Sequence, residues 1–193
     1  ATRFLRIAWL GNFVVWFVFG LMRYVYPKIV VALEMSPTDH GLFMFTIGLF
    51  QTLTFLLLGL FASWHFRFHL IVVVELIVAG SFVALSTASS RYTIFPLCAM
   101  VGCCNGFLYF SSLYYSLYSS HRKASRSAIH EAMVGSGMFI GPLLGGLVAA
   151  EFGLRVPFAA VPIPVLAVIA TQYVLFRIRP KKLRSTCCKK QVD

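Results

Sequence analysis

The chain has 193 residues, of which 59% are hydrophobic and 12% are charged, with a mean hydropathy of +0.82 and a formal net charge of +11 at pH 7. One soluble core of this length cannot bury so large an apolar fraction, so the composition excludes a single soluble domain and indicates a membrane protein. The net charge suits a nucleic-acid partner, but the basic residues stand in short connectors and in a tail, with no basic surface domain to bind one.

Six apolar runs are long enough to cross the hydrocarbon as helices, which takes about 20 residues each. The runs are continuous and do not alternate with polar residues, so they predict helices and not barrel strands. They cover residues 7–26, 41–64, 70–88, 94–118, 128–150 and 157–176, and a basic tail follows over 177–193. We predict an all-α protein with one six-helix transmembrane domain.

Two further predictions concern the ends of the chain. The chain opens without methionine and its first apolar run is a full crossing, so we expect a piece of a longer protein. Thirteen of the 17 Lys and Arg residues fall on the side of both termini, against three on the other side. The positive-inside rule then predicts a multi-pass protein of the plasma (cell inner) membrane with both ends cytoplasmic, and a tail that binds anionic lipid headgroups.

Polar and aromatic residues of the first run share one helical face. They recur at intervals of three and four: Trp9, Asn12, Trp16, Phe19 and Arg23. Polar groups in hydrocarbon are costly, so Asn12, Trp16 and Arg23 are candidate solute-binding residues. Arg23 equally fits a reach to the outer headgroups, and Trp9 fits an anchor in the interfacial aromatic belt.

The fourth run carries a second polar stripe: Cys98, Gly102, Asn105, Tyr109, Ser112 and Ser116. Asn105, Tyr109 and Ser112 are candidates for binding a solute, and the alternative is that the small residues only pack against another helix. Gln51 lies near the middle of the second run, where an unpaired amide costs a few kcal/mol, so it must bond a helix, water or the solute.

Charged groups are rare inside the runs. Glu75 of the third run is expected to pair with Arg67 or His69 at the start of its helix. In the fifth run, Arg126, His130 and Glu131 form a candidate ion-pair or gating group. Surface pairs contribute at most about 1 kcal/mol, so that group matters only where it closes during transport.

The fifth run also contains small residues on one face, which lets membrane helices approach closely. They are Gly137, Gly141, Pro142, Gly145 and Gly146. This run resembles the glycine-proline motif of the major facilitator superfamily, with Ala128 in place of the leading glycine. The loop from Gly59 to Trp64 resembles a worn form of that family's Gly-x-x-x-Asp-Arg loop, with Ser63 and Trp64 in place of the charged pair.

The resemblance implies a carboxy-terminal six-helix half, helices seven to twelve, that works with an amino-terminal six-helix half. It also implies a central cavity lined by spans one, two, four and five, with spans three and six facing lipid. The expected function is secondary active transport of a small organic solute by alternating access, without enzymatic activity, cofactor or metal. The alternatives are a non-transporting scaffold or sensor and an intramembrane serine protease built on Ser136, which needs a histidine base that His130, on the same helix, cannot supply.

Overall fold

The structure is a computed structural model that describes residues 2–118 and 122–177. Six helical segments in this part of the chain are long and apolar enough to cross a membrane, which confirms the predicted all-α fold. They are α1 (Thr2–Ala32), α2 (Pro37–Leu60), α3 (Phe68–Thr87), α4 (Arg91–Leu117), α5 (Lys123–Phe152) and a last crossing made of α6 (Val156–Ala160) and α7 (Pro162–Arg177). The basic tail lies outside the described residues after Arg177.

Local sequence explains where the helices begin and break. Ser36 caps α2 in a capping box with Asp39, so each residue satisfies a backbone N–H of the other. The last crossing is interrupted before Pro162, since proline removes a backbone donor and clashes with the preceding turn. Pro27 and Pro142 stand inside continuous helices, which membrane bundles tolerate because neighbouring helices support the freed backbone groups.

Helix α2 ends at Leu60, four residues before the end of the predicted apolar run. Trp64 lies in the turn that follows and is only 5% exposed. Its indole Nε1 donates to the Leu58 carbonyl at 3.2 Å, and its ring packs edge-on against Tyr114 of α4. The turn therefore leaves the helix because the Trp64 side chain is buried against α4.

Two close helix pairs organise the bundle. Helix α1 packs most extensively on α5, and α2 on α4, while α3 and α7 pack against each other and against α1. At the first seam a Cβ added to Gly137 would lie 2.7 Å from the Phe17 amide nitrogen, and one added to Gly145 would lie 2.6 Å from Leu21 Cγ. Bare glycine faces thus allow α1 and α5 to touch backbone to backbone.

The second seam uses glycines of α4. A Cβ added to Gly106 would lie 2.9 Å from the Gln51 carbonyl oxygen, and one added to Gly102 would meet the Ile47 carbonyl. The helices alternate in direction, so α1, α3 and α5 begin at the end of the bundle that holds Arg3 and Lys123. We call this the basic end.

Candidate solute-binding wall

Three helices bring polar side chains together on one wall of the bundle, and we call this group the polar cluster: Asn12, Tyr109, Ser112, His130 and Glu131. The His130 ring is fully buried, and its Nδ1 lies 2.9 Å from Ser112 Oγ and 3.4 Å from Asn12 Nδ2. With the Asn12 amide nitrogen facing the ring, Nδ1 is assigned as the acceptor, and this assignment places the proton of a neutral ring on Nε2.

Nε2 of that ring points toward the one carboxylate of the cluster. It lies 3.6 Å from Glu131 Oε1, and the Tyr109 hydroxyl donates to the same oxygen at 3.4 Å. The Glu131 side chain is 61% exposed, whereas the imidazole beside it has no exposed surface. An imidazole proton, a phenol and an open carboxylate thus stand side by side, which equips the wall to bind a polar or cationic group.

Aromatic rings flank the polar cluster. The Tyr109 ring lies 4.7 Å from the His130 ring, 5.9 Å from Trp16 and 5.6 Å from Phe55, centroid to centroid. Trp16 Nε1 and Asn12 Oδ1 are buried and have no hydrogen-bond partner among the described residues. Since buried polar atoms are nearly always bonded, these two atoms are an open donor and an open acceptor for water or a solute.

The other predicted polar residues lie apart from the polar cluster. Asn105 Nδ2 donates to Gln51 Oε1 at 3.1 Å, so this pair joins α4 to α2. Arg23 is exposed and its guanidinium lies 6.0 Å from the Phe19 ring centroid. It stands eleven residues after Asn12 on α1, about 16 Å further along the helix.

The glycine-proline face of α5 packs against α1, whereas His130 and Glu131 of the charged group belong to the polar cluster. A Cβ added to Gly146 would lie 2.9 Å from Tyr24 Cε1, and the Pro142 ring would lie 3.0 Å from one added to Gly20. Arg126 lies one turn nearer the basic end than His130. Glu131 contacts Tyr109 and His130, and no ion pair among the described residues joins it to Arg126.

One interpretation of an individual residue was wrong, that of Glu75. Trp9 donates from Nε1 to Ser116 Oγ at 3.0 Å and so ties α1 to α4, and its place in an interfacial belt stays a prediction. Glu75 contacts Gln172 and not Arg67 or His69, because its side chain points into the interface between α3, α7 and α1. Ser136 donates back to the Ala132 carbonyl of its own helix at 2.6 Å, while the histidine on that helix bonds elsewhere.

A bundle of membrane-spanning helices with hydrogen-bonding side chains gathered on one wall fits a membrane transport protein. The family comparison agrees with this class. Residues 8–186 match the Major Facilitator Superfamily, and the chain therefore belongs to this family of membrane transporters. A comparison with curated proteins finds no match.

Proposed function

We propose that this chain is the carboxy-terminal half of a secondary transporter that carries a small organic solute by alternating access. The observation that supports the proposal best is the polar cluster, which gathers an amide, a hydroxyl, a phenol, an imidazole and a carboxylate from three helices. In hydrocarbon such groups are expensive, and they persist where they line a path for a solute or an ion.

The open atoms of the wall favour a carrier over a scaffold. A scaffold packs a dry interior, where an unpartnered donor and acceptor cost about 1–3 kcal/mol each. Trp16 Nε1 and Asn12 Oδ1 have no partner in the described part of the chain, and the Glu131 carboxylate is largely exposed. Groups of this kind fit a wall that water or a solute reaches, as a carrier requires.

The partner and orientation follow from the same reasoning. An amino-terminal six-helix half across the cavity would cover the exposed apolar surface of α2 and α5, while the last crossing, as exposed as α5, would face lipid. We place both ends of the segment in the cytoplasm, in the plasma or cell inner membrane, since basic residues concentrate at the basic end.

Cysteine accessibility tests the proposal in the full-length protein. All native cysteines, including the five of this chain, are replaced by alanine, and a single cysteine is introduced by Glu131→Cys or, as the control, by Leu76→Cys. Both positions lie eight residues from the start of their helices at the basic end, and Leu76 is 47% exposed on α3. A charged, membrane-impermeant methanethiosulfonate should label position 131 much faster than position 76. Equal, slow labelling at the two positions would mean that no aqueous cavity reaches the wall, and it would favour the scaffold.

A further inference from the structure

A second buried polar site lies on the other side of α1, away from the polar cluster. The Glu75 carboxyl of α3 is 1% exposed, and the Gln172 side chain of α7 has no exposed surface. Gln172 Nε2 donates to Glu75 Oε1 at 2.6 Å and to the Ile7 carbonyl of α1 at 3.1 Å. One carboxyl and one amide therefore join α1, α3 and α7.

The space for this pair is made by a glycine. A Cβ added at Gly11 would lie 2.6 Å from Glu75 Oε1 and 3.3 Å from both Gln172 Nε2 and Leu108 Cδ2. Any larger residue at position 11 would displace the carboxyl, so the sequence of α1 accommodates Glu75 in the interior. The carboxyl is part of the packing, and it does not snorkel to the membrane surface.

No cation of residues 2–118 and 122–177 forms an ion pair with the Glu75 carboxyl. Arg3 of α1, one turn nearer the basic end than Ile7, donates to the Phe176 carbonyl, and Arg177 of α7 lies over the Tyr173 ring. On α3 itself, Arg67 and His69 are exposed at the start of the helix. From α4, Leu108 Cδ2 lies 3.3 Å from the Cβ position of Gly11, and Cys104 stands one turn away from Leu108 along that helix. Among the described residues no ion pair includes Glu75.

The Glu75–Gln172 pair lacks one hydrogen-bond donor. Glu75 Oε2 and Gln172 Oε1 are both buried acceptors without a partner in the described part of the chain. Exchanging the positions of the nitrogen and oxygen of the Gln172 amide would not supply this donor, because the nitrogen already donates to both Glu75 Oε1 and the Ile7 carbonyl. A proton on Oε2 supplies the missing donor, and the two side chains then match as a carboxylic acid and an amide.

We propose that Glu75 is a proton-binding site, a neutral carboxylic acid that with Gln172 clamps α3 and α7 onto α1 outside the solute cavity. A carboxylate in this interface would carry a desolvation penalty that the single amide donor of Gln172 does not offset. The neutral acid keeps its carbonyl oxygen on Gln172 and offers its O–H to the second acceptor. This inference does not depend on the solute or on the polar cluster.

Chemical modification of the full-length protein tests the site. Dicyclohexylcarbodiimide is apolar and adds to protonated carboxyls, taking up the acid proton and leaving a stable N-acylurea that peptide mass spectrometry locates. At neutral pH we expect an adduct on Glu75 and none at that position in Glu75→Gln. A water-soluble carbodiimide should leave Glu75 unmodified, since the carboxyl is closed to water. An adduct on Glu75 that forms only in acid would mean that the group is ionised at neutral pH, which overturns the proposal.

A second measurement decides the outcome where the reagent fails to reach the interface. Glutamine does not titrate, whereas a Glu75 that is a neutral acid in the folded protein gives up its proton when unfolding exposes it to water at neutral pH. The unfolding temperature of wild type should therefore fall, relative to that of Glu75→Gln, as the pH rises from about 4 to neutral. A difference that stays constant or changes in favour of wild type over this range would mean that the folded protein holds the carboxylate, and it contradicts the proposal whatever the labelling result.

Discussion

The seam between α1 and α5 gives the sharpest prediction, the replacement Gly141→Ala. A Cβ at position 141 would meet the Phe17 carbonyl oxygen and would lie 2.9 Å from the Leu21 amide nitrogen. Both atoms belong to the backbone of α1, so no side chain can rotate away to make room. The two helices must separate along the seam by about the difference between this approach and an ordinary contact, which is on the order of 1 Å.

The loss of stability caused by Gly141→Ala is measured against the same replacement at another glycine of α5. Overpacking a close contact costs about 1–3 kcal/mol, while Gly→Ala in a helix gains about 1 kcal/mol in helix propensity. Gly135 is exposed and a Cβ there has no atom within 4 Å, so Gly135→Ala has the gain without the clash. We therefore expect Gly141→Ala to be less stable than Gly135→Ala by about 1–3 kcal/mol.

Thermal unfolding of the purified variants in one detergent measures this difference. A chain of this size changes its Tm by about 2–4 °C per kcal/mol, so Gly141→Ala should unfold roughly 2–12 °C below Gly135→Ala. Gly145→Ala should fall between them, because its added Cβ meets the movable Leu21 side chain. Equal unfolding temperatures at positions 141 and 135 would refute the close backbone approach.

Three further changes test other contacts by the same unfolding measurement. Ser112→Ala should lower the free energy of unfolding by about 1–3 kcal/mol, because the buried His130 ring loses its nearest partner. The control Ser136→Ala should change it by no more than about 0.5 kcal/mol. Equal effects of the two changes would contradict the polar cluster. Arg155→Ala should lower the free energy of unfolding by about 1–3 kcal/mol, since the guanidinium donates to two carbonyls at the end of α3. An unchanged Tm would mean that these hydrogen bonds do not stabilise the bundle. Trp64→Ala should cost about 3–5 kcal/mol through the cavity that it leaves, and a loss below 1 kcal/mol would mean that the turn is not packed on α4.

The fold was largely predictable because hydrocarbon dictates it. A long apolar run has to become a helix that satisfies its own backbone, and this requirement alone yields the six crossings. The ends of the individual helices were less predictable. Hydropathy extends the second run to Trp64, but the helix stops at Leu60 because tertiary packing draws the turn against α4. The break before Pro162 is a local effect that an apolar run does not reveal.

The candidate site was predictable in part. Helical spacing places Asn12 on one face of α1, and Tyr109 with Ser112 on one face of α4, and the structure brings these faces together. Spacing within a helix gives no register between helices, so the sequence did not show that His130 would enter between them. Glu75 shows the same limit, since its partner Gln172 is 97 residues away while nearer basic residues suggested a local pair.

The positions of the seams restrict how such a bundle can move. Where two helices touch backbone to backbone, neither can slide or rotate without steric clash, and packed interfaces switch between discrete arrangements instead of deforming smoothly. The α1–α5 seam holds His130 against Asn12, and the α2–α4 seam lies beside the Gln51–Asn105 pair. We therefore expect α1, α2, α4 and α5 to move as one body, with opening and closing at the exposed surfaces of α2 and α5. Gly141→Ala then bears on transport as well as stability, because loosening the seam also moves His130 relative to Asn12.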